Sequence, residues 1–408
     1  MINLQVSLIN KLIQELPKSD LHVHLDGSLR EESLIEMAQE RRVKLPAETP
    51  QELRKNVFKQ RYNSLEEYLK GFVYTCNVLQ DRDSLERAAY ELCRDSQEEG
   101  VRYIEIRLAP QLHTGENQSI QAVLASVSKG MHRAEKEFNK RPQVASGHEP
   151  AFRAGIIICA LRFFSPQQSG TYERMLKTFA NLPEKQIFGL ASEELVRASV
   201  LARDDEGLPV VGVDLAGREH GYPADDHIKA FQLAHEAFLG KTVHAGEDYG
   251  PESIFQAITS CHADRIGHGT WLFNADKIRD PRIVNRSEYV HRLVQYIADR
   301  RITVEVCLSS NLQTAPSIKS LSEHPFRNML DGRFSVAFCT DNRLVSNTSV
   351  SLELQKAVKA FKISPRGLGD LLVYGFKRSF FLGPYLEKRK YVRKVIDYRD
   401  EILARHGF

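Results

Sequence analysis

Four histidines and two carboxylates in this chain stand at spacings that suit hydrolytic metal chemistry. The run Leu21-His22-Val23-His24-Leu25-Asp26-Gly27 sets two imidazoles two residues apart. In an extended strand residues i and i+2 share a face, so His22 and His24 aim at one point, as two ligands of one metal would. Two histidines at a polar strand end with no metal is the plainer account of that motif alone. Three later runs also end on such groups: Thr242-Val243-His244-Ala245-Gly246-Glu247, Arg265-Ile266-Gly267-His268-Gly269 and Phe338-Cys339-Thr340-Asp341-Asn342. Buried imidazoles and carboxylates need partners, and several of them at strand ends point to a shared task. His22, His24, His244 and Asp341 form an N/O donor set without cysteine, which fits one zinc ion that keeps an open position for water. Such an ion lowers the pKa of its bound water to about 7. Glu247, three residues past His244, can face the substrate as a general acid, and His268 can orient the water or deprotonate it. Two-metal barrel hydrolases bridge their ions with a modified lysine after strand 4. Val210-Val211-Gly212-Val213-Asp214-Leu215-Ala216-Gly217 contains no lysine, so a single metal is expected.

These residues need a scaffold that brings strand ends together. Short apolar runs recur at Asp20–His24, Val101–Leu108, Ala154–Arg162, Pro209–Leu215, Lys241–His244, Asp264–Gly267, Ile302–Leu308 and Phe334–Cys339. Helical periodicity lies between them, as in Leu65, Leu69, Phe72, Val73, Cys76 and Leu79, or Ile228, Phe231, His235 and Phe238. Eight strands alternating with helices predict an α/β fold, a (β/α)8 TIM barrel with its site at the carboxyl ends of the strands. An open doubly wound sheet would normally show a glycine-rich phosphate turn after an early strand, and the sequence has none. The gap after the first strand holds about three helices' worth of sequence, placed to cap the site, and Ser351–Phe408 reads as helix. The polar loop Asn139–Pro150 is too short to divide the chain, so residues 1–408 are read as one domain.

Composition narrows the function further. The 408 residues carry 56 Lys+Arg against 53 Asp+Glu, a net charge of +3, with 42% apolar and 27% charged residues. That is an ordinary globular balance, without the basic excess of a nucleic-acid or membrane-surface binder. The longest apolar run, around Ala154–Leu161, falls far short of the roughly 20 residues of a membrane helix. The N-terminus reads as an amphipathic helix on Leu4, Leu8, Ile9, Leu12 and Ile13, without signal-peptide features. Six scattered cysteines with no CxxC pair read as buried thiols in a reducing compartment, so the cytoplasm is expected. His132, His235, His291 and His406 read as surface or satisfied residues, and His262 lies at the barrel's other end. Glu105 and Arg107 read as an interior ion pair ahead of a catalytic pair.

The motifs HVHLDG, VDLAG, HAGE, RIGHG and TD resemble the adenosine deaminase family of metal-dependent amidohydrolases. They fall in the family's order between Pro17 and Asn347. The resemblance implies one zinc on His22, His24, His244 and Asp341, with His24 also bordering the substrate. It implies that Glu247 protonates N1 of the purine while metal-activated water adds to C6. His268 would take the water's proton and stabilise the developing alkoxide. Gly217 would meet N3 through its backbone N–H, and Asp26 the ribose 5′-hydroxyl. The implied products are inosine and ammonia. One position departs from the family's commonest form, which has a second Asp that contacts N7. Here it is Asn342, in a TDNRL run that resembles a bacterial subset. A side-chain amide can donate to N7, which is an acceptor. Arg343 beside it could meet a phosphate or carboxylate of another 6-aminopurine, or turn away into an ion pair. Tyr62–Leu79 resembles the helical segment that covers purine and sugar, with Leu65, Tyr68, Leu69 and Phe72 as its apolar wall, though core packing would give the same stripe. The expected partner is a small purine nucleoside, adenosine or 2′-deoxyadenosine, and neither nucleic acid nor membrane. Other 6-aminopurine substrates and a non-catalytic purine-binding role are the alternatives.

Overall fold

A computed structural model describes residues 2–408, with side chains from Ser7 onward. Eight parallel strands pair in chain order: β1 (Lys18–His24), β2 (Val101–Leu108), β3 (Arg153–Leu161), β4 (Val210–Ala216), β5 (Gly240–Ala245), β6 (Arg265–His268), β7 (Thr303–Val306) and β8 (Val336–Phe338). This is the (β/α)8 barrel that the strand count implies, and each expected strand is present to within a few residues. Strands walled by helices outside and filled by side chains inside are buried on both faces. They therefore read as unbroken apolar runs rather than as alternation, and β2 and β4 are buried along their whole length.

The barrel closes at three of the candidate site residues. Beyond β8 the chain bridges to β1: Asp341 N–H donates to the His22 carbonyl at 2.7 Å, and His24 N–H to the Asp341 carbonyl at 2.7 Å. The closing hydrogen bonds thus set His22, His24 and Asp341 side by side. Thr340 Oγ1 donates to Asp20 Oδ2 at 2.6 Å across the same seam.

At the opposite end the Phe380 ring plugs the barrel. The Arg265 guanidinium lies 3.6 Å from the ring centroid, and Phe380 N–H donates to Glu105 Oε1 at 2.5 Å. A Cβ on Gly240 would overlap this ring. Gly240→Ala is therefore expected to lower unfolding stability by about 1–3 kcal/mol through overpacking. Urea denaturation measures it, and an unchanged midpoint would show that the ring has room to move.

The helical segments differ from the sequence pattern in three places. Between β1 and β2 lie five helices rather than three: Glu31–Arg41, Pro50–Asn56, Leu65–Leu69, Phe72–Val78 and Arg82–Glu98. The apolar stripe over 65–79 is broken at Lys70-Gly71, which leaves Val73 58% exposed. Of the second stripe, Phe231 is buried, but Ile228 is half-exposed. Phe238 lies past the helix end at φ 58° and is 94% exposed. Periodicity marks a helical face but not the position of the helix end. The chain ends in helices Val350–Phe361, Pro365–Arg378 and Tyr385–Arg405. On the first helix, Ile2–Glu15, Leu12 and Ile13 are buried and Leu8 is exposed, while the Leu4 side chain lies outside the described residues. Among the described residues no helix is long and apolar enough to cross a membrane. The six cysteines are free thiols.

Candidate active site

The strand ends bring four donors to one point. His22 Nε2 lies 3.1 Å from His244 Nε2 and 3.4 Å from Asp341 Oδ1. His24 Nε2 lies 3.2 Å from His244 Nε2 and 3.5 Å from Asp341 Oδ1. With all four ligand atoms within 4.8 Å of one another, the spacing is of the size needed for one cation with bonds of about 2.0–2.2 Å to meet them together. The chemistry matches as well. His22 Nδ1 faces Glu305 Oε2 at 2.8 Å, and His244 Nδ1 faces Asp214 Oδ2 at 3.0 Å. A carboxylate accepts only, so each ring carries its proton on Nδ1 and turns an Nε2 lone pair inward. Lone pairs so close repel unless a cation lies between them. The residues present therefore fit a metal, and His22, His24, His244 and Asp341 would hold it.

Behind the donors, Arg107 donates to Asp214 Oδ2 at 2.9 Å, to Glu305 Oε2 at 3.0 Å and to the Leu21 carbonyl at 2.7 Å, all fully buried. Burial pushes the Asp214 and Glu305 carboxyls up, but His244 and Arg107 around the first, and Arg107 and Arg265 around the second, hold both well below the usual range. Glu105 and Arg107 are interior, as the sequence suggests, yet they are not each other's partners. Glu105 pairs with Arg265, because alternate residues of one strand reach different neighbours across the barrel.

Glu247 and His268 stand beside the donor set, with His268 Nε2 3.6 Å from Glu247 Oε2, too long for a hydrogen bond between them. Burial raises the Glu247 carboxyl well above its ordinary value, and Asp341, Glu219 and Asp248 raise it further, which favours its protonated form. Glu219, unremarked in the sequence, positions the loop after β5. Its carboxylate accepts the backbone N–H groups of Gly246 (3.0 Å), Glu247 (2.7 Å) and Asp248 (2.8 Å). Two non-glycine residues of the site adopt left-handed backbone, His268 at φ 67° and Asp341 at φ 60°. Such conformations cost of order 1–3 kcal/mol and persist where surrounding contacts over-determine them, as the closing bonds do for Asp341.

These groups open onto a cavity lined by His24, Asp26, Gly217, Asp341 and Asn342, with Leu65, Tyr68, Leu69, Phe72 and Phe163 as its apolar wall. The four apolar residues read from the sequence thus all face the cavity. Gly217 sits at φ 98°, where the backbone rather than space requires glycine. Asp26 Oδ1 is buried without a hydrogen bond, and burial pushes this carboxyl up to about 6. Asn342 Nδ2 donates to Tyr68 Oη at 2.9 Å, and Tyr68 Oη lies 2.9 Å from Ser346 Oγ. Among the described residues no lysine or arginine lines this cavity. Arg343 has turned away: its Nη1 lies 2.7 Å from Glu99 Oε1 and donates to Ser96 Oγ at 3.0 Å. Among the described residues a second cluster of possible ligands, Asp26, Cys76 and His113, adjoins the site. Burial pushes its thiol and its carboxyl upward, toward protonated forms that do not bind metal. A larger groove at the other end of the barrel holds none of the clustered donors. His132, His235, His262 and His291 are exposed there or on outer helices, and His406 meets Glu15 at 3.2 Å.

The adenosine deaminase family model matches residues 17–398. The chain is 33% identical to adenosine deaminase 1 of Streptomyces coelicolor over 94% of its own length and 87% of the relative's. It is 34% identical to an adenosine deaminase of Mycobacterium leprae over 96% of its own length and 97% of the relative's. It also matches a probable adenosine deaminase of Dictyostelium discoideum at 32% identity, covering 91% of this chain but 42% of that longer protein. Among solved structures, a Burkholderia ambifaria amidohydrolase with bound Zn superposes with a TM-score of 0.75 at 19% identity, over 98% of this chain and 95% of that one. An Arabidopsis protein complexed with IMP superposes with a TM-score of 0.73 at 24% identity, over 96% of this chain and 99% of that one.

Proposed function

Because the chain belongs to the adenosine deaminase family, we propose that it converts adenosine or 2′-deoxyadenosine and water to the inosine and ammonia products, using one zinc ion. The observation that carries this reading is the convergent His22–His24–His244–Asp341 donor set with the buried Glu247 carboxyl beside it, a carboxyl that burial pushes above its ordinary range. The ion, when bound, supplies Lewis acidity and an activated water. The remaining work falls to the chain. Glu247 donates its proton to N1, which draws electrons from C6 and opens that carbon to attack. His268 borders the oxygen that enters at C6. The Gly217 N–H meets N3, Asn342 Nδ2 donates its second hydrogen to N7, and the unpaired Asp26 Oδ1 accepts the ribose 5′-hydroxyl. Leu65, Leu69, Phe72 and Phe163 cover the rings and exclude bulk water. Six free thiols fit a reducing cytoplasm.

The same wall selects a neutral nucleoside over a nucleotide. A 5′-phosphate would enter beside Asp26 with no cation to meet it, since Arg343 is engaged by Glu99. Burying an unpaired charge is costly, so kcat/KM for AMP is expected at least about a hundredfold below that for adenosine. Comparable values for the two would overturn the assigned ribose end.

The direct test is the ultraviolet change of adenosine-to-inosine conversion, followed with native protein, chelated protein and chelated protein resupplied with zinc. Activity lost on chelation and restored by zinc is expected. Full turnover by metal-free protein, or none by zinc-loaded protein, would overturn the proposal.

A further inference from the structure

A hydrogen-bonded chain runs from the backbone into the site through two residues that the mechanism above does not use. Phe326 N–H lies 3.1 Å from His324 Nδ1. A backbone N–H only donates, so His324 Nδ1 must accept. His324 is buried and desolvation pushes it down to about 3, so the ring is neutral and carries its one proton on Nε2. That nitrogen lies 3.2 Å from Asn311 Oδ1, which accepts the proton's hydrogen bond. Asn311 is itself fully buried, and its Nδ2 lies 2.9 Å from His268 Nδ1. An amide nitrogen only donates, so His268 Nδ1 accepts, and the proton of the neutral imidazole sits on Nε2. Reversing the Asn311 amide would set its nitrogen against the His324 Nε2–H, donor against donor. The backbone N–H of Phe326 therefore dictates the amide's direction and, through it, the state of His268.

We propose that Asn311 and His324 are positioning residues that fix the proton of His268 on Nε2, the atom turned toward Glu247 and the cavity. What that proton does rests on the deaminase reading. An Nε2–H presented to the entering oxygen donates a hydrogen bond to it and stabilises the charge that gathers there as C6 becomes tetrahedral. The acceptor nitrogen faces Asn311 and is out of reach of that oxygen. Of the two roles open to His268 from the sequence, the network selects the donor.

Histidine 15N resonances of zinc-loaded protein test this, with the His268 signals identified by their absence in His268→Gln. The expected wild-type tautomer is Nε2–H. Asn311→Asp puts an acceptor opposite Nδ1 and is expected to move the proton there. With it, kcat for adenosine should fall about 30- to 100-fold while KM changes less than about threefold, because a donor that acts on the transition state is lost. If that variant does not fold, the wild-type tautomer still decides, and Asn311→Ala is expected to give a mixture of the two forms. A wild-type proton on Nδ1 would overturn the assignment, as would an inverted tautomer with unchanged kcat. Nε2–H in a zinc-loaded protein that does not turn over adenosine would support the positioning network and overturn the deaminase reading instead.

Discussion

Glu247→Ala is expected to keep its full metal content and to lose at least about two orders of magnitude in kcat with adenosine. The carboxyl is not among the converging donors, so its removal leaves His22, His24, His244 and Asp341 in place. What goes is a buried carboxyl that holds its proton more tightly than usual: burial first, then the charges of Asp341, Glu219 and Asp248, raise it well above the ordinary carboxyl range. Glu247→Gln preserves the shape and the hydrogen bond but has no proton to transfer, so it should lose rate nearly as fully with KM little changed. The sign of the pH dependence follows. The working form is protonated, so wild-type kcat/KM is expected to fall on the alkaline side as Glu247 ionises, and that limb should vanish from the residual activity of the alanine variant. Wild-type-like turnover by a metal-replete Glu247→Ala protein would sink the assignment of the acid.

Arg107→Met should be the most costly single change away from the cavity. One guanidinium satisfies Asp214 at 2.9 Å and Glu305 at 3.0 Å, and all three side chains are fully buried. Methionine fills much of the same volume but leaves two buried carboxylates short of their cation, with Arg265 still beside Glu305. Breaking a buried ion pair in this way costs about 3–5 kcal/mol. The effect should appear in urea denaturation of the metal-free protein, where metal binding cannot mask it. A second effect is separable. Asp214 and Glu305 orient His244 and His22, so zinc affinity should fall about 10- to 100-fold in a competition titration with a chelating dye. An unchanged denaturation midpoint and unchanged affinity would show that the carboxylates find other partners.

The sequence and the structure part company at identifiable residues. His22 and His24 were legible because the two-residue period of a strand is local, and a strand seven residues long needs no tertiary information to place both on one side. The apolar wall of Leu65, Tyr68, Leu69 and Phe72 was legible as a stripe, but not the break at Lys70-Gly71 that turns it into two short helices. Glu219 gave less signal still. It is one acidic residue in a polar stretch until the fold brings the loop of Gly246–Asp248 onto its carboxylate. Asn311 and His324 likewise carry no pattern, since their importance lies in which way two side chains hydrogen-bond.

The sequence by itself determined the barrel, and it marked the candidate metal donors and the proposed acid, because these rest on periodicity and on residue type at strand ends, both properties of neighbours along the chain. Only the tertiary structure decided that Arg107 serves Asp214 and Glu305 rather than Glu105, that Arg343 leaves the cavity for Glu99, and that the Asn311 amide meets His268 Nδ1. Each of these is a choice among partners far apart in sequence. Such choices are made when the barrel closes and every buried charge and amide must find its complement at once, a condition that no local segment carries.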